Sequence, residues 1–394
     1  MRSTEHASSH ERSIFGRRGI GRSVWRANDI EVKGSLHAGL LKPGAPIIRP
    51  ENVVMDGMHV NFQAIQALRG VAAIMVLLLH ARIAVWWAKD LWNIPFISSH
   101  GMIGVSLFFC ISGFIIAHVV SRSSFEPVSF IVKRIWRIVP IYWIVTTLAL
   151  VFWYANRFWR ADMDRLGFIG VLKSYLVLPQ QGFPLVNPGW SLEHEIIFYV
   201  FAAVIVPFAR LPGLFVALIA LWVCGLFYTG WDYHLLSYSQ LYFAAGIAAY
   251  WCRSLSIKVL APIAMVSIPI AILSLYKIVN VSPAVNVVLT GLGCFSIIST
   301  LVSMESNGLK FPQWLVSVGD ASYSIYIVHW IVLPWVGFVA YRVGGSLEAW
   351  RWIAFFVCIF VGFMSRRYLE VPLMRVKFIN RWSNTATNTA KVST

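Results

Sequence analysis

The chain has 394 residues, of which 58% are hydrophobic and only 13% charged, with a formal net charge of +16. A soluble protein carries about 25% charged residues, so a water-soluble fold is excluded and a polytopic membrane protein is implied. The surplus Lys and Arg lie at the ends of apolar runs and in both tails, which fits positive-inside topology and contact with anionic membrane lipids rather than nucleic acid.

Residues 1–60 hold Arg, Ser, Gly and His with scattered acids and no sustained periodicity. They lack the apolar core of a secretory signal peptide and read as a disordered, basic cytoplasmic tail. Ten apolar segments of spanning length follow, at about 62–81, 102–121, 135–154, 190–209, 213–229, 236–252, 257–276, 284–303, 320–341 and 349–369. The expected architecture is all-α: a polytopic membrane helix bundle of about ten transmembrane helices over 61–378, with a second disordered tail at 379–394. An even number of spans puts both termini on one side. Arg366, Arg367, Arg375, Lys377 and Arg381 near the C-terminus mark that side as cytoplasmic. The 155–189 loop then lies outside. Its apolar piece, Leu166 to Leu178, is too short to cross comfortably and reads as interfacial or re-entrant. The five cysteines all sit in apolar stretches, without the pairing or spacing of a disulfide framework or zinc site. No metal site is expected.

The first span carries two titratable residues, Arg69 and His80, eleven positions apart. At about 100° per residue this is close to three full turns, so both face one side of the helix, about 16 Å apart along its axis. Ionisable groups within a span face a bundle interior or a wet cavity; the alternative is two end-of-span residues snorkelling to opposite interfaces. The second span opens with the small-residue run GVxLFFxxSGF at 104–114, which permits close helix approach.

Arg134 and Arg137 enter the third span at i, i+3 and share a face. They are either positive-inside anchors or a phosphate site suited to the planar guanidinium. The fourth span starts Trp190-Ser191-Leu192-Glu193-His194-Glu195, with Glu195 over a turn inside the apolar run. In the ninth, Ser322, Tyr326 and His329 share a face, as a functional group or as a hydrogen-bonded helix contact. The last span ends at Glu370-x-Pro372, followed by Arg375.

Together these motifs resemble the acyltransferase-3 family of integral membrane O-acyltransferases. The resemblance rests on Arg69-x10-His80, the 104–114 run, Arg134-x-x-Arg137, Trp190-Ser-Leu-x-x-Glu195, the Ser-x-Ser-x-Tyr-x-x-His run ending at His329, and Glu370-x-Pro372, in family order over about 60–378. The wording around Trp190 is similar to bacterial exopolysaccharide acetyltransferases. The resemblance implies transfer of an acyl group from cytoplasmic acyl-CoA, acetyl-CoA by expectation, to a sugar hydroxyl of an exopolysaccharide, lipopolysaccharide or lipid-linked acceptor. It also implies a bacterial inner-membrane location. Two departures stand out: Ser106 occupies a position where many members carry an acid, and the N-terminal tail lies outside the family pattern.

On this reading His80 is a general base or acyl relay, Arg69 stabilises donor phosphate or a developing oxyanion, and Glu195, at the outer level, orients His80 or binds the sugar. Arg134, Arg137 and Arg375 form a cationic inner mouth for the donor. Trp190, Glu193, Ser322, Tyr326 and His329 contact substrate or support the site. The remaining alternatives are the same fold moving succinyl or another acyl group, and a transporter or flippase without chemistry, since polar residues within spans also mark substrate pathways.

Overall fold

The structure, a computed structural model, describes residues 62–85, 101–121, 125–155, 160–228 and 234–375. The two expected tails, 1–60 and 379–394, lie outside the described residues. Among those described there are helices and no strands, and eight helices are long and apolar enough to cross a membrane. The chain is a multi-pass, all-α membrane protein.

Two central helices, α1 (Gln63–His80) and α2 (Ile103–Val120), are each about two-thirds buried in the protein. The α1 N-terminus has no side-chain cap of its own. The Glu305 carboxylate, from the end of α8 (Pro283–Ser306), accepts the Gln63 and Ala64 N–H groups at 2.7 and 3.0 Å. It thereby partners amides that a helix start leaves open and sets a negative charge at the positive end of the helix dipole.

The third helix, α3 (Pro127–Ala155), contains Pro140. After it, α4 (Arg160–Leu176) breaks at Gly167, whose φ of 60° and ψ of −177° leave the helical region. Beyond the break, residues 168–176 are about 14 Å long at 1.5 Å per residue, under half the hydrocarbon thickness. Phe168, Ile169, Leu172 and Leu176 are exposed along it. The Trp143 indole N–H donates to the Tyr175 carbonyl at 2.7 Å and ties the piece to α3. So short a piece is not a span by itself.

Each of the ten expected segments falls on a helix, and two of them share α5 (Gly189–Phe227). Its 39 residues are two helices that meet at Arg210, whose φ of 55° and ψ of −165° leave the helical region between Pro207 and Pro212. Each proline removes a helical N–H and crowds the preceding turn, so the break falls between the two expected segments, 190–209 and 213–229. The segment that falls short is α6 (Ser239–Trp251), whose 13 residues are too few to span. It is a core helix instead, packed on α2 and α5. A Cβ at Gly113 of α2 would run into the Phe243 carbonyl of α6, and one at Gly246 of α6 into the Cys110 carbonyl of α2. Backbone therefore meets backbone across this pair.

Outside the centre, α7 (Ile257–Leu275) pairs with α8 through Ser267 Oγ, which donates to Ser296 Oγ at 2.8 Å. Its other face exposes Met265, Val266 and Ile270, as a lipid-facing helix does. The chain finishes with α9 (Gln313–Asp320), α10 (Ser322–Val343), α11 (Leu347–Ser365), a π-helical turn at Arg366–Glu370, and α12 (Val371–Met374). Arg366 pairs with Asp320 at 3.4 Å. At the end of the π turn Glu370 is buried, and its Oε2 accepts the Ser324 hydroxyl at 2.5 Å. All five cysteines are free; Cys110, Cys294 and Cys358 are core residues, whereas Cys224 faces outward from α5.

Candidate active site

Five helices build a chamber of about 120 Å³ around three arginines. Arg69 reaches it from α1, Arg134 and Arg137 from α3, Phe108 and Ser112 from α2, Ser191 and Glu195 from α5, and Ser322 from α10. Arg69 is 8% exposed and Arg134 7%, so neither snorkels to a headgroup. A buried charge is tolerated only with partners. Arg69 donates to Gln66 Oε1 at 3.3 Å and feels the charges of Arg137, Glu370, Asp320 and Glu195. The Arg134 guanidinium lies 5.7 Å from the Phe130 ring centroid and 5.8 Å from that of Tyr199, both within cation–π range. The Glu195 Oε1 accepts from the Ser112 hydroxyl at 3.0 Å and from the Tyr199 hydroxyl in a short hydrogen bond. Ser322 is fully buried, and its hydroxyl has no hydrogen-bond partner among the described residues.

A second, wider chamber of about 590 Å³ contains His80, Arg82, Asn187, Trp190 and Trp330. It continues into a cavity of about 320 Å³ that shares Phe183, Asn187 and Trp330 and adds Trp153. His80 Nδ1 lies 3.2 Å from His329 Nε2, and the two rings stack at 5.0 Å and 21°. The Trp330 edge meets His80 at 5.8 Å. Tyr326 and Val105 line both chambers.

Behind the wall, the Glu193 Oε2 meets His234 Nε2 at 2.6 Å, and the His234 ring lies 4.7 Å from that of His194. His194 Nδ1–H donates to the Trp190 carbonyl at 2.9 Å, and the Gln240 amide donates to the His234 carbonyl at 3.1 Å. This cluster ties the start of α5 to the segment entering α6 and holds Trp190 in the wall of the wide chamber. Among the described residues no group of three His, Cys, Asp or Glu could hold a metal ion.

The residues singled out in the sequence thus fall into three places. Arg69, Arg134, Arg137, Glu195, Ser322 and Tyr326 share the arginine chamber; His80 and Trp190 share the wide one with Tyr326, and His329 backs His80. Glu193 and Arg375 line neither: Glu193 belongs to the buried histidine cluster, and Arg375 is exposed at the end of α12. The expected partnership of Glu195 with His80 is not what the helices deliver. Glu195 lies five residues beyond Trp190, about 7.5 Å further along α5, which carries it to the level of the arginines. The side chain beside His80 is that of His329.

Ser112, Tyr199, Tyr323, His234 and Trp330 join the site without having been singled out. Tyr199 was legible, since it stands four residues after Glu195 on one helix face. His234 carries no local signal; only the fold brings it to Glu193.

The family described as acyltransferase domain matches residues 62–365. Exopolysaccharide production protein ExoZ of Rhizobium meliloti (strain 1021) is 30% identical over 296 residues, covering 70% of this chain and 90% of that protein. No solved structure matches.

Proposed function

Since the chain belongs to the acyltransferase-3 family of membrane acyltransferases, we propose that it transfers an acetyl group from acetyl-CoA to a hydroxyl of an exopolysaccharide or its lipid-linked precursor, in the bacterial inner membrane. The acceptor class is supported by the similarity to a protein whose name refers to exopolysaccharide production. The observation that carries the reading is the pair of chambers meeting at Tyr326, one cationic and one with a histidine pair. A nucleotide thioester and a sugar need unlike sites on either side of the bond to be made.

The donor enters the arginine chamber from the cytoplasm. Its phosphates bond to Arg134 and Arg137, whose forked donors suit phosphate oxygens. Arg69, deeper in the same chamber, neutralises the remaining phosphate charge or that of the tetrahedral oxyanion. The acceptor enters the wide chamber, where Trp153, Trp190 and Trp330 offer apolar faces and Asn187 a polar group. The His80–His329 bond uses His80 Nδ1 and leaves Nε2 for the acceptor. Nε2 takes the hydroxyl proton as the oxygen attacks the thioester carbonyl. The C–S bond then breaks, the ester C–O bond remains, and the proton passes to the departing CoA thiolate.

The test is direct. Purified protein is incubated with acetyl-labelled CoA and the exopolysaccharide or lipid-linked sugar fraction of its host. Label should appear on the glycan as an alkali-labile ester, and His80→Ala, still inserted and accumulating, should lower the rate by about 10²–10⁴-fold. Label-free glycan with wild-type protein would refute the acceptor class. Full activity in His80→Ala would refute the base.

A further inference from the structure

The two chambers share part of their wall. Tyr326 of α10 and Val105 of α2 stand in both linings. The Tyr326 hydroxyl shares a 2.8 Å hydrogen bond with Ser191 Oγ, a group of the arginine chamber, and donates at 3.2 Å to the carbonyl of Pro188, a residue of the wide one. Its ring lies between Phe108, 5.8 Å away in the arginine chamber, and His329, 5.9 Å away behind His80. The side chain is 8% exposed and Val105 is 3% exposed. A buried phenol fixed at its ring and its hydroxyl is a rigid partition.

Phosphates held by arginines on one side and a base held by a histidine on the other require the acyl carbon to reach the plane of Tyr326. Whatever hangs from that carbon must fit beside the ring. We propose that Tyr326, with Val105, is the acyl-size filter: the pair admits a two-carbon acyl group to His80 and rejects longer chains. The inference rests on the acyl-CoA reading above and adds the residues that set its chain length. Ser191 is then the positioning residue that holds the filter shut, through its bond to the phenol.

The filter is tested by measuring transfer from acetyl-, propionyl-, butyryl- and hexanoyl-CoA with wild-type protein, Tyr326→Phe, Tyr326→Leu and Val105→Ala. One methylene in a fitted pocket is worth about 10–200-fold, so wild-type protein should prefer acetyl over butyryl by at least about tenfold. Tyr326→Phe keeps the ring and should keep that preference while turning over more slowly. Tyr326→Leu and Val105→Ala open the partition and should bring the two donors to within about threefold. If Tyr326→Leu does not accumulate, Val105→Ala carries the measurement by itself. An unchanged acetyl-to-butyryl ratio in the opened variants that accumulate overturns the filter, as does wild-type protein that uses butyryl-CoA as fast as acetyl-CoA. Wild-type protein that transfers no acyl group from any of the four donors overturns the acyl-CoA reading itself, a different and distinguishable result.

Discussion

Arg134 and Arg137 illustrate how residue-scale geometry chooses between two readings of one motif. An anchor at a helix entrance belongs in the headgroup region, where its stem is buried and its charge wet. Arg134 instead lies 7% exposed between two aromatic rings, and both arginines line a chamber. A charged hydrogen bond contributes about 1.5–3 kcal/mol. Arg134→Gln with Arg137→Gln should therefore raise KM for acetyl-CoA by at least about tenfold. kcat at saturating donor should change much less, because the thioester and His80 are untouched. Steady-state kinetics on the purified double variant checks this. A lower kcat at unchanged KM would point to a role in the chemical step instead.

The helix pair α2–α6 is the element on which both chambers depend, since Phe108, Val105 and Ser112 all come from α2. The pair is held by small residues. Gly113→Ala places a methyl against the Phe243 carbonyl, whereas a methyl at Gly291 of α8 finds its nearest neighbour at 3.6 Å, an ordinary contact. Overpacking costs about 1–3 kcal/mol. Gly113→Ala should lower the thermal stability of the detergent-solubilised protein, and Gly291→Ala should leave it near wild type. Equal melting of the two variants would mean that α2 and α6 can move apart freely. Small residues in the 104–114 run were legible as a close-approach signal. Their partner was not, because α6 reads in sequence as another span and its 13-residue length emerges only in the fold.

At the scale of the whole molecule, donor and acceptor meet from opposite sides only if the chambers open to opposite sides of the membrane. The loop containing Gln181 borders the wide chamber, where its neighbours Gly182 and Phe183 form part of the wall. Lys310 follows α8 just beyond Glu305, at the end of the bundle where α1 begins. With the five native cysteines replaced, Gln181→Cys should react with a membrane-impermeant thiol reagent in intact cells. Lys310→Cys should react only after permeabilisation. The reverse pattern would place the arginine chamber outside, away from cytoplasmic CoA.

The sequence by itself determined the class and the apolar segments. Apolar length and helical spacing are local properties, so 3.6-residue periodicity sufficed to put Arg69 with His80 on one face and Ser322 with Tyr326 and His329 on another. Tertiary structure decided how those faces combine. Whether Glu195 lined the chamber of His80 or that of the arginines turned on where α5 starts relative to α1, a depth that no spacing within α5 encodes. His329 reached His80, and His234 reached Glu193, across 249 and 41 positions of sequence. Contacts of that kind are made by packing between helices, and packing is a property of the assembled bundle rather than of any stretch of chain.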